Sequence, residues 1–146
     1  MPDSIGETAI PAFPRIEPKS MGDMILTSDG ESKASSVTLR QNMIDEGMEV
    51  PDYANAAHHI IAGNDVRAAG LRNMLEKYGI DINSAENGVF LPTEKEVSEA
   101  SYHRSLHTNA YYENVEKAFQ GVSSKEEAIE VLQDIREQLL EGTFPH

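Results

Sequence analysis

The chain has 146 residues, 39% of them apolar, which suits one domain with a modest core and some unpacked length. It contains no cysteine, which excludes disulfides, thiolate metal ligands and a cysteine nucleophile, and it has no apolar run long enough to span a membrane. A formal net charge of -13 argues against general nucleic-acid binding, whose affinity comes mainly from neutralised phosphates.

Residues 1–35 hold Pro2, Pro11, Pro14 and Pro18 among glycine and serine with no sustained period, which reads as a flexible or extended arm. Its first residues, Met1 to Glu7, lack the basic and apolar regions of a signal peptide. Order is expected from Ser36 to 146. Ser36 can cap a helix with Val37, Leu39, Met43 and Ile44 on roughly one side, ending at Gly47. Ala56 to Ala62 is short and apolar and reads as a strand, turned by Gly63-Asn64. A helix over residues 65–78 would pack Val66, Ala69, Leu71 and Leu75 and stop at Gly79.

Asn87-Gly88 is the strongest tight-turn signal, and Val89 to Pro92 reads as a brief strand. Thr93-Glu94-Lys95-Glu96 matches a capping box, which predicts a short helix leading to His103 and His107. Thr108 should cap a helix over 109–120 with Tyr111, Val115, Ala118 and Phe119 inward. Ser123 to Glu126 starts the last helix, to about 141, where Ala128, Val131, Leu132, Ile135, Leu139 and Leu140 give the clearest 3.6-residue period. Its acidic outer face reads as a solvated face, with protein docking as the alternative. The fold class is mainly α with a small β element.

Four of the five histidines fall in two tight pairs, His58/His59 and His103/His107. Neighbours in an extended segment point to opposite sides, so one of His58 and His59 can face a metal while the other faces substrate. A spacing of i, i+4 puts His103 and His107 on one face of a helix. One imidazole of the first pair and two of the second would make three nitrogen ligands with positions left open. The remaining histidine is suited to general-base work because its ordinary pKa lies near neutrality. The plain alternative is a half-buried pair in one place and two surface residues in the other.

Ala57-His58-His59, Asn87-Gly88-Val89-Phe90-Leu91-Pro92 and His103-x-x-x-His107 together resemble the HNH, or His-Me finger, nucleases. The resemblance is to their AHH branch, found among bacterial polymorphic toxins, and covers about Leu39 to Val115. It implies a ββα-metal core, a β-hairpin and helix around one divalent ion, with flanking helices. It places His58 as a metal ligand, His59 as the general base and Asn87 as the asparagine bracing the loop, with Asn83 as a rival for that last role. His103 and His107 fall at the remaining metal positions, as in the colicin-type nucleases, and Arg104 becomes a candidate cation for the transition state. The ion would be magnesium, manganese, nickel or zinc.

The function so implied is a metal-dependent endonuclease, with DNA placed ahead of RNA as substrate. It would serve as a bacterial toxin or effector domain with a cognate immunity protein and no membrane partner. It would act in the cytoplasm, or reach a target cell's cytoplasm through a specialised secretion system. Arg67, Arg72 and Arg104 would have to offset the acidic charge locally. The alternative from a different class is a non-catalytic helical protein-binding module with a structural or regulatory metal site.

Overall fold

Ser35, one residue before the expected cap, starts the first helix α1 (Ser36–Asp45): its hydroxyl accepts from Thr38 N at 3.2 Å. The computed structural model describes residues 34–146, and Ala34–His146 forms one compact unit. The expected arm over residues 1–35 thus lies outside the described residues, apart from Ala34 and Ser35. On α1, Leu39 and Met43 are spaced four apart and fully buried. Val37 is 77% exposed and Ile44 42%, contrary to their expected inward placement. At about 100° per residue, Val37 lies nearly opposite Leu39, so the helix cannot bury both.

The two strands β1 (Asn55–His59) and β2 (Gly88–Pro92) pair antiparallel, in register from Asn55↔Pro92 to His59↔Gly88. Their connection is a long excursion over residues 60–87. Asn87-Gly88 is therefore not a two-residue hairpin turn: Asn87 ends a 3-10 turn, Ala85–Asn87, and Gly88 opens β2. The sheet separates two apolar clusters. Ala57 and Phe90, opposite each other, pack with Leu39, Met43 and Ala85. Val89 and Leu91 enter the main core with Ile60, Leu106, Tyr111 and the C-terminal helix. Gly88 suits this layering: a Cβ there would meet the side-chain atoms Met43 Sδ at 2.5 Å and Leu39 Cδ1 at 2.8 Å, which would have to shift.

Within the excursion, the expected helix over 65–78 divides in two. A 3-10 turn, Val66–Ala68, is capped by Asp65, whose carboxylate accepts from Arg67 N at 2.8 Å. Helix α2 (Ala69–Lys77) follows, burying Leu71 and Leu75 and ending before Gly79, at φ 70. Val66 is 82% exposed rather than packed.

The helix expected from the Thr93–Glu96 signal does not form. Thr93 N donates to Ala54 O at 3.0 Å and so prolongs the strand pairing, and Glu96 takes φ 68. His103 and His107 are likewise not on an α-helical face: His103–Leu106 is a 3-10 turn, with His107 just after it. Thr108 caps α3 (Asn109–Ala118) as expected, accepting from Tyr111 N at 3.1 Å. Ser124 caps α4 (Lys125–Glu141), whose Ala128, Leu132, Ile135 and Leu139 fill the core. From α4, Arg136 donates to Ala85 O at 2.6 Å and Gly88 O at 2.9 Å, bracing the entry to β2. The architecture is mainly α with one small antiparallel sheet. Among the described residues no helix is long and apolar enough to cross a membrane.

Candidate active site

Strand alternation sends His58 and His59 to opposite sides of β1, and each meets a different set of partners. His58 is buried, 4% exposed, on the side of the main core. Its Nδ1 lies 3.2 Å from His103 Nδ1, and its Nε2 lies 2.9 Å from Tyr111 Oη. The Tyr111 hydroxyl donates its one hydrogen to Ile60 O at 2.8 Å. His58 Nε2–H must therefore donate to Tyr111, which leaves the Nδ1 lone pair facing His103. The hydrogen between the two Nδ1 atoms then belongs to His103. Burial pushes the His58 pKa well below the ordinary histidine value, and His103, His107 and His59 add to it. Burial, then His107 and Arg104, lowers His103 as well.

The second pair of histidines completes a ring of aromatic contacts. His58 and His103 meet edge to face at 5.1 Å, and His103 and His107 at 5.7 Å. His107 is exposed, with Nδ1 3.3 Å from Tyr112 Oη. Consecutive residues of α3 thus hold one histidine each. Arg67 lies 4.3 Å from the centre of the Tyr112 ring, pairs with Asp65 at 2.8 Å and donates to Asn109 Oδ1 at 2.7 Å. Arg67 holds the Asp65 carboxyl well below the usual carboxylate range.

His59 faces the other way, with Nε2 2.9 Å from Asn83 Oδ1. Burial lowers its pKa, opposed by the Asn83 hydrogen bond and by the Asp81 charge. Asn87 is fully buried and bridges the two ends of the excursion. Its Oδ1 accepts from Ile61 N at 2.8 Å, and its Nδ2 donates to Ile61 O at 3.1 Å and Ile82 O at 2.9 Å. Its carbonyl accepts from Ile60 N at 2.8 Å. Asn87 therefore makes the bonds of a brace, whereas the Asn83 side chain is turned to His59.

The anticipated arginine cluster is smaller than the sequence suggested. Arg72 is spent on Ala62 O and Asp65 O, at 2.9 and 2.8 Å, and Arg67 is paired with Asp65. Arg104 is exposed on the 3-10 turn, near enough to His103 for its charge to act there. All four histidines, with Tyr111 and Tyr112, line a cleft of about 410 Å³.

The donor chemistry fits one divalent ion. Buried neutral imidazoles are borderline donors suited to zinc or nickel. The 3.2 Å between the two Nδ1 atoms is close to the roughly 3.4 Å that two nitrogens take on a tetrahedral ion with bonds of about 2.0–2.1 Å, and His103 Nδ1 would ligate once its hydrogen moves to Nε2. Among the described residues no three His, Cys, Asp or Glu side chains stand in metal-holding geometry, and His107, turned to Tyr112, sits apart from the closer pair.

Sequence reasoning missed Tyr111, Tyr112 and the contact of Asn83 with His59. Tyr111 and Tyr112 carried one available signal: a hydroxyl on or beside an apolar helix face requires a polar partner once buried. Asn83 carried none, because its partners lie in distant segments.

A sequence model of a nuclease family of the HNH/ENDO VII superfamily, characterised by conserved Ala-His-His, matches residues 39–139. No curated protein and no solved structure matches the chain. The matched span takes in Ala57-His58-His59, Asn87, His103 and His107, and the chain belongs to this AHH family of nucleases.

Proposed function

We propose that the protein is a metal-dependent endonuclease, with DNA as the favoured substrate, acting as a bacterial toxin or effector domain. The observation that carries this reading is the convergence of both histidine pairs on one cleft, with His58 and His59 on opposite sides of the strand that delivers them. His58, His103 and His107 would hold one divalent ion, magnesium, manganese, nickel or zinc. The ion would polarise the phosphodiester and stabilise the charge of the leaving oxygen. Exposed His107 would have to turn away from Tyr112 to join the other two.

The chain's own residues account for the rest. Tyr111 fixes the His58 tautomer so that Nδ1 is the ligating atom, as a partner behind a ligand commonly does. His59, held neutral by burial, takes the proton of the attacking water. Asn87 keeps the strand ends at fixed separation, and Arg104, exposed beside His103, would meet charge developing on the phosphate. The open cleft favours catalysis over a structural ion, which would be closed off by four protein ligands. A toxic nuclease requires a cognate immunity protein in its producer, and delivery by a specialised secretion system would bring it to a target cytoplasm.

His59→Ala should abolish cleavage of supercoiled plasmid in magnesium, manganese, nickel or zinc, while calorimetric titration of the same metals stays within about twofold of the unmodified chain. Retained cutting of plasmid and of total RNA by this variant would remove His59 from the base role.

A further inference from the structure

The proposed base is held from behind by a side chain that lies inside the matched span but outside its Ala-His-His signature. Asn83 is 7% exposed and lies on the excursion before Asn87. Its Oδ1 accepts from Ser35 N at 2.9 Å and lies 2.9 Å from His59 Nε2. Its backbone is fixed in turn: N donates to Asp81 Oδ1 at 2.7 Å, and O accepts from Asn42 Nδ2 at 2.8 Å. The cap residue and the second turn of α1 therefore both grip this asparagine.

These contacts determine where the His59 hydrogen sits. An amide oxygen and nitrogen are exchangeable when only a histidine faces them. Ser35 N–H, however, can only donate, so the atom facing it must be the oxygen. The same oxygen faces His59 Nε2, which must then carry the hydrogen. His59 Nδ1 is left with the lone pair.

We propose that Asn83 is the positioning residue of His59, holding its Nε2–H so that Nδ1 is the atom that accepts a proton in the cleft. The proposal rests on the reading of His59 as the base. An amide suits the task because it orients the ring without placing a second full charge against it, as a carboxylate would. Asn83 acts through His59, while His58 bonds His103 and Tyr111 on the opposite side of β1, so its effect should be on turnover and not on metal affinity.

The test is long-range proton–nitrogen NMR of the full 146-residue chain with labelled histidines, comparing the unmodified protein with Asn83→Ala and Asn83→Asp. The unmodified chain should show His59 as the Nε2–H tautomer. Asn83→Ala should shift it to a mixture with substantial Nδ1–H, and Asn83→Asp, which keeps an acceptor oxygen, should restore the first form. In cleavage assays Asn83→Ala should lower kcat by about 10- to 100-fold with KM within about twofold. An Nδ1–H tautomer in the unmodified chain, or an unchanged tautomer in Asn83→Ala, would overturn the proposal. If Asn83→Ala does not fold, the unmodified chain and Asn83→Asp still decide it, since both must show the Nε2–H form. The tautomer is read without substrate, so a chain that cuts nothing would count against the nuclease reading while the Asn83 contact is judged separately.

Discussion

Tyr111 shows how one buried hydroxyl can set the chemistry of a neighbour. It donates to Ile60 O, and so can only accept from His58, which fixes the hydrogen on one ring nitrogen and the lone pair on the other. Tyr111→Phe leaves the His58 Nε2–H and the Ile60 carbonyl unpaired in the core. The expected cost is about 1–3 kcal/mol, read from denaturant unfolding. Metal affinity should also fall, by about 10- to 100-fold in calorimetry, because His58 is then free to take the other tautomer. Loss of stability with unchanged affinity would make Tyr111 a core residue and nothing more. The sequence singled out His58, His59, His103 and His107 because imidazoles are scarce in this chain and clustered. It read Tyr111 only as part of an apolar helix face, since nothing local announces that its hydroxyl meets a residue 53 positions away.

At the scale of elements, legibility followed how local the determining interactions are. Thr108 and Ser124 cap α3 and α4 through bonds to residues three along the chain, and both were readable. The segment after β2 was not. Thr93 is drawn into pairing with Ala54, and Ser101 N donates to Leu139 O at 2.8 Å, so contacts from two other elements override the local helix signal. Gly88 marks a close approach of α1 to the sheet. Gly88→Ala would push a methyl against Met43 and Leu39 and lift α1 from the sheet, at an expected 1–3 kcal/mol or about that in chemical unfolding. Combined with Met43→Ala, the loss should be less than the sum of the two single losses, because the cavity receives the added methyl. Strict additivity would show that the sheet and helix adjust independently.

For the whole molecule, charge is the constraint that any nuclease role must satisfy. With -13 overall and Arg72 committed to backbone carbonyls, Arg67, set against the cleft residues Asp65 and Tyr112, and Arg104, next to His103, are the candidate cations for phosphate. Two phosphates neutralised would give a slope of log affinity against log salt of about -2 for duplex DNA. The measurement is titration of the uncleaving His59→Ala variant with labelled duplex at several potassium chloride concentrations. A slope as steep as about -6 would point to a basic surface that the described residues do not form. A slope of about -2 would mean that grip depends on few charges, and orientation on the histidine cleft itself.

Sequence alone determined that the chain is mainly helical with a small β element, and that four of its five histidines fall in two pairs within an AHH nuclease frame. Those features are encoded in composition, caps and short-range spacing, which need no knowledge of distant contacts. Only the tertiary structure decided that the two strands meet across a long excursion and that His103 and His107 leave a 3-10 turn and not a helix face. It alone also brought Tyr111, Tyr112 and Asn83 to stand behind three different histidines. Those outcomes depend on which hydrogen-bonding group a buried atom finds across the fold, and no local pattern of residues carries that information.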